Sequence, residues 1–213
     1  MKIAPKIIAL LFASSSVFFT ACAAKEKDTS KFSVPEEWSE QYEIATLAGG
    51  CFWCMEPPFE DVEGVEAVIS GYSGGDEVDP SYQDVAYGRT GHTESVQIFF
   101  DPEVITYDEI LSIYWRQINP TDLGGQFVDR GQQYRPEIFV HSEAQRAAAE
   151  ASKKNLEESG RFADPIVVPI TEYDTFYPAE EYHQDFYKKD PNRYYGYRRG
   201  SGRDNFIEKY WAE

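Results

Sequence analysis

The chain has 213 residues, with 37 Asp and Glu against 20 Lys and Arg, for a formal net charge of −17. That length suits one domain with end segments, long enough to bury a core without disulfide staples. The charge argues against nucleic acid, whose phosphates need a basic face, and against adhesion to anionic lipid by electrostatics.

In chain order, Lys2 and Lys6 precede the apolar run Ile7 to Ala13, which resumes after three serines at Val17-Phe18-Phe19. This is the basic, apolar, small-residue layout of an export signal over residues 1–21. The run is too short and too serine-rich to span a bilayer comfortably as a helix. Phe19-Thr20-Ala21-Cys22 resembles a bacterial lipobox, with Phe19 where Leu is usual. On that reading Cys22 is lipidated and becomes the new N-terminus, and the lipid alone attaches the protein to a membrane of the cell envelope. The competing reading is plain cleavage after Ala21 or Ala23, leaving Cys22 as a stray thiol. Residues 22–40 read as a flexible tether, because Ala23 to Ser30 is small and charged without an apolar period.

A single catalytic domain is expected over 41–200, followed by a tail, 201–213, without cysteine. Residues 42–48 read as a buried strand broken by Gly49-Gly50, with a helix starting at Cys51. A strand is expected around Val65, Val68 and Ile69, and another over Glu94 to Phe100, which alternates. Thr106-Tyr107-Asp108-Glu109 has the pattern of a capping box opening a helix through Ile110, Ile113 and Tyr114. A short strand at Ile138 to Val140 precedes the clearest helix, Ser142 to Glu158, capped by Ser142 and followed by Gly160. Ile166 to Ile170 reads as a strand, with Pro169 implying an edge. Ala179 to Lys189 reads as one amphipathic helix. Strands and helices do not alternate strictly, so the class is α+β, a mixed sheet with packed helices. The loops 71–91 and 119–136 are long for a compact domain, which points to function.

The chemistry centres on Gly49-Gly50-Cys51-Phe52-Trp53-Cys54. A thiol at a helix start gains from unpaired backbone N–H groups and the dipole, which favour thiolate. Cys54 lies one turn on, where it could resolve what Cys51 attacks. A structural disulfide would close a very small loop and stabilise little. A zinc site would lack a second cysteine pair, and His92, His141 and His183 are scattered. Redox catalysis remains the leading use. Phe52 and Trp53 offer a flat apolar wall beside the sulfur, suited to a small apolar group such as a methyl.

Gly50-Cys51-Phe52-Trp53 resembles the signature of the A-type peptide methionine sulfoxide reductases. So do Gly88 to Val96, Asp129 to Arg135, and Phe176 to Gln184, in order along most of the domain. The resemblance implies a ferredoxin-like two-layer α/β sandwich and reduction of methionine S-sulfoxide without metal or organic cofactor. It implies Cys51 as nucleophile, Glu94 as proton donor, Phe52 and Trp53 as the methyl pocket, Tyr82 and Tyr134 at the sulfoxide oxygen, and Asp129 shaping the site. Relatives that recycle through C-terminal cysteines differ from this chain, whose segment from Tyr197 to Trp211 has none. The sequence resembles instead the GCFWC subgroup, in which Cys54 resolves and a thioredoxin-like protein reopens the Cys51–Cys54 disulfide. In the alternative cycle an external thiol reduces Cys51 directly and Cys54 is a bystander. The second functional class is a non-enzymatic redox-sensing or methionine-docking module.

Overall fold

The computed structural model describes residues 30–212. The expected signal over 1–21, Cys22 and the first part of the tether lie outside the described residues. In chain order the elements are α1 (Glu36–Gln41), β1 (Glu43–Gly49), α2 (Phe52–Met55), α3 (Pro57–Glu60), β2 (Val65–Ser73), α4 (Tyr82–Ala86), β3 (Thr93–Phe100) and α5 (Tyr107–Gln117). There follow β4 (Gly125–Gln126), β5 (Asp129–Arg130), β6 (Pro136–Val140), α6 (Glu143–Glu158), β7 (Ile170–Glu172), β8 (Phe176–Pro178), α7 (Phe186–Lys189), α8 (Pro191–Ser201) and α9 (Arg203–Trp211).

The main sheet has the order β7-β6-β1-β3-β2-β8. Its neighbours pair antiparallel except β6 and β7, which are parallel. With helices packed on it, this is the expected α+β class in a ferredoxin-like arrangement. Side chains alternate across a strand, so Val96, Ile98 and Phe100 of β3 share a face with Leu47 of β1 and Ile138 and Val140 of β6. Ile110, Leu111 and Tyr114 of α5 close that layer into one core. The capping box opens α5 as expected: the Thr106 hydroxyl accepts from Glu109 N and the Glu109 carboxylate from Thr106 N. Ser142 caps α6.

Four sequence expectations are corrected. Residues 30–40, read as the end of a flexible tether, dock on the domain: α1 lays Trp38 on Phe99 with ring centroids 5.4 Å apart, and Phe32 N donates to Ala179 O. The charged run ahead of it masked that single aromatic anchor. The strand expected over 166–170 begins at Ile170 on the sheet edge, because Pro169 has no N–H to give the ladder and offers only its carbonyl, to Ile138 N at 3.0 Å. The amphipathic helix expected over 179–189 is broken. Gln184 uses its side-chain amide on Ser70 N, Ser70 O and Ala179 O, extending the sheet, and Asp185 is left-handed at φ 51°. The tail 201–213 contains helix α9: Gly202, at φ 87°, ends α8 and reverses the chain, a conformation glycine adopts without steric penalty. Phe206 of α9 then packs on Phe127 and Phe162.

Candidate active site

Cys51 and Glu94 meet through the register of two adjacent strands. β1 and β3 are antiparallel with Ala48 opposite Ser95, so the exit of β1 lies beside the start of β3. Glu94 has the same parity as Val96 and Ile98, which sends its carboxyl to the core face, where it is 1% exposed. Gly50 turns the chain out of β1 at φ 86°, and a Cβ there would stand 2.6 Å from Gln126 Cβ. Cys51 follows in the N-cap position of α2, and Phe52 N donates to the Glu94 carboxylate at 3.0 Å.

The expected thiolate-favouring helix start is corrected. α2 has four residues, and α3 begins separately at Pro57, so the dipole beside the sulfur is that of a single turn. Burial pushes the Cys51 thiol well up, and the Glu94, Cys54 and Asp129 charges push it further, opposed by a hydrogen bond from Tyr197. The resting group is therefore a thiol. Burial likewise raises the Glu94 carboxyl to about 8, with Asp129 adding to the shift and the bonds from Phe52 N and Cys51 opposing it. A neutral carboxylic acid in contact with a thiol is thus the resting state of this pair at neutral pH. Cys54 is fully buried, and burial raises its thiol while Arg203 and Arg198 pull it back. Cys51 and Cys54 are both unbridged.

Aromatic rings enclose the space around the pair. Phe52 is buried and lies 4.9 Å from the His183 ring and 6.4 Å from Tyr82. Trp53 is half-buried and stacks on Phe186 at 3.7 Å, with interplanar angle 9°. Its indole N–H donates to His183 Nδ1 at 3.0 Å, which fixes the ring's rotation as well as its plane. The broken helix over 179–189 explains this wall. The 3-10 turn Glu181–His183 and α7 carry His183 and Phe186 on either side of the left-handed Asp185.

The two long loops supply the remaining expected residues. In the first, Ser81 caps α4, and Tyr82 N donates to Glu180 Oε1, whose other oxygen accepts from the Tyr72 hydroxyl. In the second, the 3-10 turn Gln132–Tyr134 is tied to the start of β3, where the Thr93 hydroxyl donates to Gln133 O and Arg135 O. The Tyr82 and Tyr134 phenols are raised by burial and then by the Glu94 charge, with Cys51 acting on both, so each is a neutral phenol within electrostatic reach of the Cys51–Glu94 pair. Asp129 is raised by burial and accepts a hydrogen bond from the Tyr197 hydroxyl.

Cys51, Phe52, Trp53, Cys54, Tyr82, Glu94, Asp129 and Tyr134 therefore come together around one centre, while Cys22 lies outside the described residues. The sequence reading missed Tyr197, which bonds Cys51 and Asp129, and Phe186 and Arg203, which support the wall and the turn. Nothing local distinguishes Tyr197 within the run Tyr194-Tyr195-Gly196-Tyr197. Among the described residues, the carboxylates placed as if for a metal are Glu56, Glu60 and Asp185. Lys188 already bridges two of them, at 2.5 Å from Glu60 and 2.8 Å from Asp185.

The sequence model of the family described as peptide methionine sulfoxide reductase matches residues 43–213. The chain is 57% identical over 172 residues to peptide methionine sulfoxide reductase MsrA of Listeria monocytogenes, covering 81% of this chain and 97% of that protein. It is 56% identical over 170 residues to MsrA 2 of Staphylococcus aureus, covering 80% and 96%. Among solved structures, it resembles reduced Mxr1 from Saccharomyces cerevisiae at TM-score 0.67 and 31% identity, covering 72% of this chain and 88% of that one. It also resembles methionine sulfoxide reductase A of Corynebacterium diphtheriae at TM-score 0.60 and 30% identity, covering 71% and 76%. A buried thiol–carboxyl pair walled by aromatics and faced by phenols is thus found on a chain whose sequence and fold converge on the same relatives: the chain belongs to the peptide methionine sulfoxide reductase family.

Proposed function

We propose that this chain reduces the S epimer of methionine sulfoxide, free or within proteins, with Cys51 as nucleophile, Glu94 as proton donor and Cys54 as the resolving thiol of a GCFWC-type cycle. The contact between the Cys51 thiol and a carboxyl held neutral by burial carries this reading. A sulfoxide sulfur becomes electrophilic when its oxygen takes a proton. Glu94 gives its proton to that oxygen and receives the Cys51 proton through their existing hydrogen bond, so the nucleophile ionises as the target is activated. The phenols of Tyr82 and Tyr134 donate to the same oxygen without bringing a competing charge. The substrate methyl rests on Phe52 and the Trp53 face, where the Tyr197 ring meets Trp53 edge-on with centroids 6.1 Å apart and its hydroxyl donates to Asp129.

Attack forms a sulfur–sulfur bond; that bond and the methionine S–O bond then break as the hydroxyl passes to the Cys51 sulfur, so methionine leaves reduced and Cys51 is left as sulfenic acid. Cys54 condenses with it, releasing water and leaving a Cys51–Cys54 disulfide. A thioredoxin-like dithiol then reopens the bridge. The export layout of residues 1–21 and the lipobox-like Phe19 to Cys22 support a place in the cell envelope, anchored by lipid on Cys22. Labelled fatty acid absent from the wild-type protein made in a bacterial host that processes lipoproteins would refute the anchor. The activity is tested by offering the two methionine sulfoxide epimers separately with dithiothreitol. Reduction confined to the S epimer is expected; reduction confined to the R epimer would overturn the assignment.

A further inference from the structure

Arg203 opens α9 and is 1% exposed, yet the groups that hold its guanidinium are neutral. Nη2 donates to Gly49 O at 3.0 Å, and Nη1 lies on Gln117 O and on Met55 Sδ. Its Nε is buried without a hydrogen-bond partner, and its Cζ lies 4.8 Å from the Phe127 ring centroid. A buried cation held only by neutral groups is unfavourable, and such charges normally persist where a counter-charge is needed. The residues it touches bracket the reactive turn: Gly49 lies just before Cys51 and Met55 just after Cys54.

Four charged side chains act on Cys54. Arg203 and Asp204 belong to α9, Arg198 to α8 and Asp129 to β5. Arg198 donates to Cys54 O at 3.2 Å, but its charge is already paired with Asp204 at 2.7 Å. Arg203 makes no ion pair within 4.0 Å among the described residues, and its charge acts on Asp129 as well as on Cys54. On the other side of the turn the charged groups facing Cys51 are the acids Glu94 and Asp129, with the Tyr197 hydroxyl beside them. Access has the same asymmetry, since Cys51 is 7% exposed and Cys54 0%.

We propose that Arg203 is the counter-charge of a Cys54 thiolate, making Cys54 the sulfur that attacks when the Cys51–Cys54 disulfide closes and the sulfur that leaves when it opens. In closing, the Cys54 electron pair forms the S–S bond to Cys51, the S–O bond of the sulfenic acid breaks, and hydroxide leaves as water after taking a proton. In opening, a thiolate of an external dithiol bonds to Cys51, and Cys54 departs with the electron pair of the old S–S bond. The second thiol of the reductant then displaces Cys51 and carries away both oxidising equivalents. A lower leaving-group pKa speeds such exchange, and the reachable sulfur is the one attacked. Arg203 is a positioning residue here, because it acts through Cys54.

This inference rests on the proposed Cys51–Cys54 cycle, and the experiment separates the two. Reduced wild type, Arg203→Met and Arg203→Lys are mixed with methionine sulfoxide without reductant across a pH series. Methionine formed and thiols lost are followed separately. Closing should slow about tenfold in Arg203→Met at neutral pH, with its pH midpoint raised by about one unit, a tenfold rate change corresponding to one unit of thiol pKa. Arg203→Lys should close within about threefold of wild type, and in Arg203→Met closing should slow more than first-turnover methionine formation. A wild-type pH midpoint in Arg203→Met, or methionine formation falling in step with closing, would overturn the proposal. So would a mixed disulfide with 2-mercaptoethanol that maps to Cys54 rather than Cys51. Absence of any disulfide in the wild type would instead remove the cycle itself, and this inference with it.

Discussion

Replacing Glu94 by Gln probes the proposed chemistry most directly. The side chain is 1% exposed and its carboxyl is raised from 4.5 to about 8, chiefly by burial. A shift of that size is worth roughly 5 kcal/mol in favour of the neutral form, at ~1.36 kcal/mol per unit. Glutamine keeps the shape, and its carbonyl oxygen can still accept from Phe52 N, but it has no acidic proton to release. Loss of general acid catalysis lowers the rate by about 10² to 10⁴, so first-turnover methionine release in Glu94→Gln should fall by that factor with substrate affinity little changed. Wild-type activity should decline as pH rises through about 8, where the acid form is lost, and that decline should vanish in the variant. Stability carries an independent sign. The folded-state value lies above the unfolded one, so the folded chain binds more protons between 4.5 and about 8, and its stability decreases as pH rises across that window. Glu94→Gln removes this slope and should melt higher than wild type in alkaline buffer. Turnover of the variant within about threefold of wild type would refute the assigned role.

Two further changes test the resolving thiol and the wall. Cys54→Ala should still release methionine in the first turnover, within about threefold of wild type, but leave Cys51 as a sulfenic acid that dimedone labels; an unlabelled Cys51 after turnover would count against the cycle. Phe186→Ala removes the ring stacked on Trp53 at 3.7 Å. With such pairs worth about 0.5–1.5 kcal/mol, KM should rise roughly two- to tenfold with kcat less affected, and an unchanged KM would place Trp53 outside the substrate site. Glu56→Gln examines a second buried acid, raised to about 8 mainly by burial while accepting from Asp185 N and the Ser70 hydroxyl. By the same linkage sign, this variant should flatten the wild-type loss of thermal stability between 4.5 and about 8 without the catalytic defect of Glu94→Gln; an unaltered slope would show that Glu56 does not contribute to it.

The amino-acid order alone determined what depends on near neighbours. The capping box at Thr106, the Ser142 cap and the alternation of β3 each act within a few residues, so they are legible without a fold. The signature around Cys51 and the ordered motifs after it named the family and most of the residues of the candidate site. Only the tertiary structure decided the protonation states and the outer members of the site. Burial and Coulomb energies depend on neighbours far away in the chain: Glu94 and Asp129 near Cys51, Tyr197 bonded to Cys51 and Asp129, and Arg203 acting on Cys54. The helix misread over 179–189 has the same cause, since Gln184 finds its hydrogen bonds on Ser70, 114 residues away, and no local periodicity records that.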